Sequence, residues 1–299
     1  MTRVVTIGEC MVEMAPSGTD AHYAMSFAGD TFNTAWYLAR LAPGWQVDFL
    51  TAIGSDSISD NFAGFAAEAG IGTAHMAREA GKGMGLYLIE LQDGERSFHY
   101  WRDTSAARAL ASNEDRLTRA LSGADIIFFS GITLAILSED EREVLFDAIS
   151  EAQADGAVVA FDPNIRPRLW ADEDEMRGAI MEAALSSEIV LPSYDEEALH
   201  FGDADPEATV ARYLSAGATS VVVKNGDGAV HYSCGGEAGT HSPTPVGTLV
   251  DSTAAGDSFN AGFLASLIAG NSPSEAVAAA CGVSGKVIQA RGALVDGVG

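Results

Sequence analysis

The sequence predicts an α/β fold: a doubly wound, mainly parallel sheet with helices on both faces, and a small β-sheet projecting from it. Short apolar runs alternate with amphipathic stretches along most of the 299 residues, as repeated βα units do. Residues 11–14 and 23–27 instead alternate apolar and polar positions, like strands exposed on one face, around a Pro16-Ser17-Gly18 turn. Asp93-Gly94, flanked by the strand-like runs 85–91 and 96–101, is the strongest hairpin signal in the chain. These pieces do not suit a parallel sheet, so residues 10–28 and 84–103 are expected to form an accessory sheet, a lid. No linker, low-complexity tract or repeat divides the chain, and residues 1–299 read as one domain.

In order, 4–8 reads as a buried strand closed by Gly8, and Asp30 or Thr31 caps a helix running to residue 41. Strand 47–53 and helix 57–69 follow. After the hairpin come helix 114–121, strand 126–129, helix 139–154 and strand 158–161. Helix 172–185, strand 188–191 and helices 196–201 and 206–216 lead to strands 220–224 and 229–233. Helices 255–269 and 273–289 close the chain. Right-handed crossovers bring the loops at the strands' C-terminal ends together on one rim, where a ligand site belongs.

Composition narrows the function. Seventeen basic against 42 acidic residues give a net charge of −25, with lysine only at Lys82, Lys224 and Lys286. Such a field repels nucleic acid and anionic membranes, which are excluded as partners. The acidity suits a saline habitat and ordinary solubility alike. Cys10, Cys234 and Cys281 are too few and too scattered for a disulfide framework or zinc site. With no long apolar run and no signal-peptide layout, a cytoplasmic location is expected.

The chemistry centres on residues 251–262. Asp251, Ser252, Thr253, Ala254, Ala255 and Gly256 make a small, flexible loop entering a helix, whose exposed N–H groups suit an anion such as phosphate. Asp257 in the first turn can accept a proton beside that anion, or can simply cap the helix. Gly29, Asp30, Thr31, Phe32 and Asn33 form a second small-polar loop entering a helix, with donors and acceptors for a polyol. Tyr87 and the block His99, Tyr100, Trp101 and Arg102 lie on opposite hairpin arms, placed either to cover a sugar or to pack across strands. Arg166 and Arg168, in the rim loop 162–170 of so acidic a chain, can bind a carboxylate or phosphate. Glu196 is placed to hold Mg²⁺ through water. Lys224, Asn225, Gly226, Asp227, Gly228 and Ala229 form a Gly-rich turn that either admits a nucleotide or is only a tight turn.

Residues 251–259 resemble the C-terminal signature of the ribokinase-like (PfkB) carbohydrate kinases, and residues 28–35 resemble their N-terminal one. Gly8-Glu9-Cys10-Met11, Glu95-Arg96-x-Phe98-x-Tyr100-Trp101-Arg102 and Asn164-x-Arg166-Pro167-Arg168-Leu169-Trp170 are similar to members acting on 2-keto-3-deoxygluconate. The resemblance spans residues 3–293. It implies a ribokinase-like kinase with a β lid that uses ATP and Mg²⁺ to phosphorylate a sugar acid at carbon 6. Asp257 is then the general base, and the N–H groups of Ala254, Ala255, Gly256 and Asp257 form the anion hole. Gly29 to Asn33, Tyr87, Tyr100, Trp101, Arg102 and Arg166 hold substrate. Asn164, Ile165, Arg166, Lys224 to Ala229 and the 254–257 turn line the ATP site. The resemblance also raises a monovalent cation near the motif's first aspartate, without assigning it to Asp251. Ser193 stands where the family's Asn-x-x-Glu motif has Asn, although Glu196 is kept, and Ser252 replaces the commoner Thr. Open strand edges on the lid make a homo-oligomer, a dimer, the expected assembly. Ribose, fructose and the galactonate epimer are the alternative substrates; a non-catalytic sugar or nucleotide sensor is the alternative role.

Overall fold

Strand β1 (Arg3–Ile7) lies inside the larger sheet, with a strand on either side, in the computed structural model, which describes residues 1–18, 22–92 and 95–298. It is followed by β2 (Met11–Pro16), β3 (Tyr23–Ala28), α1 (Asp30–Leu41), β4 (Gln46–Gly54) and α2 (Ser57–Glu68). Two short strands, β5 (Ile71–Gly72) and β6 (Met76–Glu79), lead to the antiparallel pair β7 (Leu86–Gln92) and β8 (Glu95–Trp101). Next come α3 (Glu114–Leu121), β9 (Ile126–Ser130), α4 (Gly131–Ala135), α5 (Glu139–Ala154), β10 (Val158–Asp162) and α6 (Glu173–Leu185). The chain ends through β11 (Ile189–Val190), α7 (Tyr194–Phe201), α8 (Pro206–Ala216), β12 (Ser220–Val223), β13 (Val230–Cys234), β14 (Glu237–His241), α9 (Ala255–Ile268) and α10 (Pro273–Val287).

The larger sheet has the order β14-β13-β12-β11-β10-β9-β1-β4-β5, with β6 also on β4. It is parallel from β12 to β5, and β13 and β14 add an antiparallel edge. Alternate residues of each strand feed two cores. Val4 joins Phe32, Phe49 and Phe263 under α1, α2, α9 and α10, while Val5 joins Phe129, Leu145 and Ile180 under α3, α5, α6 and α8. Each large side chain fully buried this way contributes roughly 1.5–3 kcal/mol. Burial on both faces is why the central strands read as unbroken apolar runs. The chain winds one way from β1 to β4 and β5, then the other way from β9 to β12. The reversal between β1 and β9 opens a crevice at the strands' carboxyl ends.

The second sheet has the order β3-β2-β7-β8 and pairs Val12 with Phe27 and Tyr87 with Tyr100. It is anchored where the Phe27 ring meets Phe62 at 5.3 Å. The expected strands are all present; the Asp93-Gly94 turn itself lies outside the described residues.

Local differences have physical causes. Gly29, not Asp30 or Thr31, is the N-cap of α1, and the position must be glycine, since a Cβ there would come within 2.1 Å of the Glu9 carbonyl oxygen. Helix α7 starts at Tyr194 rather than 196, its N–H donating to the Lys224 carbonyl (2.8 Å). The short α4 is held by a Ser130–Thr133 capping box, and β14 is a polar edge strand without an apolar run.

Candidate active site

A cavity of about 950 Å³ lies at the carboxyl ends of the central strands. Five of the parallel strands deliver residues to its wall at or past their ends: Glu9 after β1, Ile132 after β9, Asp162 and Asn164 at β10, Ser193 and Glu196 after β11, and Lys224 after β12. The first turns of α1 and α9 close the floor, and β7 and β8 overhang it with Tyr87, Phe98 and Tyr100.

Helix α9 begins with Ala254 in the left-handed region (φ 58°), which swings the chain so that its N-terminus faces the cavity. The first bond closing the helix runs from the Ser258 N–H to the Ala254 carbonyl, so the Gly256 and Asp257 N–H groups have no acceptor within the helix. Ala255, expected in the anion hole, instead donates its N–H to the Ser252 carbonyl at 3.2 Å, inside the turn. Asp251 is taken up by the loop: its Oδ1 accepts from the N–H and hydroxyl of Thr253 and its Oδ2 from the Gly292 N–H.

Asp257 does not cap α9, which has no side-chain cap. Its Oδ2 accepts from Asn33 Nδ2 at 2.8 Å. Burial pushes the Asp257 carboxyl up to about 7, the nearby Asp30 and Asp162 carboxylates adding to this and the Asn33 amide and Lys224 opposing it. Asp30 accepts from the Thr31 N–H with Oδ1 (2.8 Å) and from Asn164 Nδ2 with Oδ2 (2.7 Å). Behind Gly256, Lys224 Nζ donates to Asp162 Oδ2 (2.7 Å) and Asn260 Oδ1 (3.2 Å), and Asn260 Nδ2 donates to the same Asp162 oxygen (2.6 Å). Lys224 thus brings one positive charge to a wall that carries Asp30, Asp162 and Asp257.

Arg102, Arg166 and Arg168 all line the cavity, and the first two already face a carboxylate. Arg102 donates through Nε and Nη2 to the buried Glu9, leaving Nη1 outside that pair. Arg166 donates through Nη1 to Glu196 and to the Ile165 carbonyl, and its side chain is 49% exposed. Glu196 also accepts from the Ile165 N–H (2.9 Å), so both its oxygens are engaged within the protein. Among the described residues no cluster of three or more His, Cys, Asp or Glu side chains is placed to grip a metal directly.

Several expected contacts fall elsewhere. Strand alternation turns Trp101 to the face away from Tyr100; it is 60% exposed and does not line the cavity. Thr31 and Phe32 are fully buried, Phe32 stacking edge-on with Phe49 and Phe62 in the core, and Ile165 reaches the site only through its backbone. Asn225, Gly226, Asp227, Gly228 and Ala229 form a tight turn off the cavity wall, closed by Gly228 N–H to Asn225 O (2.7 Å) and Asn225 Nδ2 to Ala229 O (3.2 Å). Gly29, Asp30, Asn33, Tyr87, Tyr100, Arg102, Asn164, Arg166, Lys224, Glu196 and residues 254–257 are brought together as expected. Glu9, Asp162 and Asn260 fall within stretches the sequence marks out, but the sequence reading gives none of them a role. Asp162, acidic at the end of an apolar strand run, carried a readable signal; Asn260, inside a helix, carried none.

The family model described as pfkB family carbohydrate kinase matches residues 1–296. The chain is 36% identical to the 2-dehydro-3-deoxygluconokinase of Dickeya dadantii, covering 98% of this chain and 96% of that protein. It is also 36% identical to the 2-dehydro-3-deoxygluconokinase of Escherichia coli, covering 98% and 97%. Among solved structures, a fructokinase with bound ATP from Xylella fastidiosa superimposes with a TM-score of 0.85 at 26% identity, covering 97% of this chain and 93% of that one. With the cavity at the switch point and a whole-chain match, the protein belongs to the pfkB family of carbohydrate kinases.

Proposed function

We propose that this protein transfers a phosphoryl group from ATP to the 6-hydroxyl of 2-keto-3-deoxygluconate, giving 2-keto-3-deoxy-6-phosphogluconate. The observation that carries the reading is Asp257: a carboxyl raised to about 7, at a helix N-terminus with two N–H groups free of helical acceptors. Its substrate class comes from the two relatives, each a 2-dehydro-3-deoxygluconokinase similar over nearly its whole length.

In this reading Asp257 takes the proton of the acceptor hydroxyl, with Oδ2 held by Asn33 and Oδ1 left to receive it. The Gly256 and Asp257 N–H groups and the Lys224 ammonium would hold phosphate oxygens, and Glu196 a water of Mg²⁺. ATP with its Mg²⁺, when bound, supplies the phosphoryl group. Tyr87 and Tyr100, ring centroids 5.9 Å apart, wall off the acceptor side from water. Asp30 and Asn33 suit sugar hydroxyls, and Arg166 Nε and Nη2, outside its pair with Glu196, suit the sugar-acid carboxylate.

Coupled ADP release tests this on a panel of 2-keto-3-deoxygluconate, its galactonate epimer, ribose and fructose. The expected result is highest kcat/KM on the gluconate compound; turnover confined to neutral sugars would overturn it. One observation favours that second reading: Arg102 and Arg166 each already face a glutamate, so the wall carries less free positive charge than its arginines suggest. A homo-oligomer through the small sheet is part of the proposal, supported by the exposed Tyr23, Met25 and Trp101 on its strands. Light scattering of the purified chain at working concentration tests that; a monomer would refute it. A cytoplasmic location fits the unpaired Cys10, Cys234 and Cys281, and no helix among the described residues is long and apolar enough to cross a membrane.

A further inference from the structure

Among the described residues, two non-glycine residues have a left-handed backbone, Ala254 (φ 58°) and Asn164 (φ 33°), and both line the cavity. Ala254 turns the chain into α9. Asn164 follows β10 in a loop whose geometry its backbone alone would satisfy: its N–H donates to Asp162 Oδ1 at 3.0 Å, two residues back. Glycine adopts such a φ at less cost than asparagine, so what asparagine adds at this position is its side-chain amide. That amide is spent on one long-range contact, Nδ2 to Asp30 Oδ2 at 2.7 Å, across 134 positions of sequence. Asp30 Oδ1 is tied only locally, to the next residue's N–H.

We propose that Asn164 is a positioning residue for the acceptor side of the site, fixing the Asp30 carboxylate beside Asp257. The inference rests on the kinase reading above and gives Asn164 a role on the acceptor side beside the nucleotide contact that family resemblance implies. Strained backbone tends to be kept where surrounding contacts determine it and function uses it. Here the strain holds an amide between the rim loop of β10 and the first turn of α1. That same turn carries Asn33, the donor to Asp257. The charged groups that act on Asp257 are Asp30 from α1, Asp162 from β10 and Lys224 after β12, so moving Asp30 alters both the acceptor's contacts and the field at the base.

The test is a double-mutant cycle of Asn164→Gly and Asp30→Ala, with Asn164→Asp as a second variant that keeps left-handed tolerance but turns the donor into an acceptor. For Asn164→Gly, the KM for 2-keto-3-deoxygluconate rises about tenfold, as losing a hydrogen bond to a charged group predicts. Asn164→Asp is impaired at least as much. In the Asp30→Ala background, Asn164→Gly costs nothing further. A rise in the ATP KM with the sugar KM unchanged, or losses that simply add, would overturn the proposal. The cycle is also read in thermal unfolding without ligand, where the two substitutions are expected to be non-additive. Failure of the wild type to turn over the sugar acid would therefore strike the substrate assignment alone, because unfolding still scores the pair.

Discussion

Asn33 and Asp257 lie 224 positions apart and meet through one 2.8 Å hydrogen bond, the Asn33 amide donating to Asp257 Oδ2. The bond joins the first turn of α1 to the first turn of α9, and it favours the charged form of a carboxyl that burial otherwise keeps protonated. Removing the donor leaves burial and Asp30 less opposed. Asn33→Ala should therefore move the acidic limb of the kcat/KM profile to higher pH, with a loss of about tenfold at pH 7. A limb that stays in place would show that Asn33 does not act on Asp257.

Asp257→Asn should keep the fold and sugar binding yet lose about 10²–10⁴-fold in kcat, the usual range for a general base. Its stability profile gives a second reading. The folded Asp257 carboxyl titrates at about 7, above the usual carboxylate range, so the folded state holds a proton that the unfolded chain releases from about pH 4 upward. The stability this contributes is complete below about pH 4 and is lost as pH rises through 7. The variant lacks that loss, so its melting temperature should gain on the wild type between pH 5 and pH 8. Burial likewise pushes Glu197 up to about 7, so the variant still loses some stability over this range. A melting-temperature difference independent of pH would contradict the raised carboxyl, and near-normal turnover would refute the base.

Arg166→Ala should raise the KM for 2-keto-3-deoxygluconate at least about tenfold while leaving the KM for a neutral sugar nearly unchanged, because a charge-assisted contact is lost only with the carboxylate. The melting temperature should change little: its pair with Glu196 is half-exposed on the arginine side, and such pairs contribute less than about 1 kcal/mol. Parallel KM increases on both sugars would place Arg166 outside carboxylate recognition.

The parallel sheet was legible because Val4 and Val5, Ile126 to Phe129 and Val159 to Phe161 are buried on both faces and leave unbroken apolar runs in the sequence. The α9 entry was legible too, since a loop of small residues before a helix has few other uses. Side-chain direction was not. Phe32 sits between Thr31 and Asn33 in a loop-like motif, yet helical rotation sends it into the core while Asn33 faces Asp257. The internal partners of Arg102 and Arg166 were equally hidden, because Glu9 lies 93 positions from Arg102 and Glu196 lies 30 from Arg166. Long-range pairing of this kind has no local pattern.

Tyr100 and Trp101 make that limit testable. As neighbours in β8 they point to opposite faces, Tyr100 over the cavity beside Tyr87 and Trp101 to the outside. Tyr100→Ala should therefore raise the KM for the sugar acid several-fold, at about 1 kcal/mol for a lost aromatic contact. Trp101→Ala should leave both KM values within about twofold at protein concentrations where the oligomeric state is unchanged. If subunits pair through this sheet, the Trp101 variant should instead shift the assembly midpoint to higher concentration, read by light scattering. A change in sugar KM for the Trp101 variant, with assembly intact, would mean that the strand presents the opposite face to substrate when the small sheet closes.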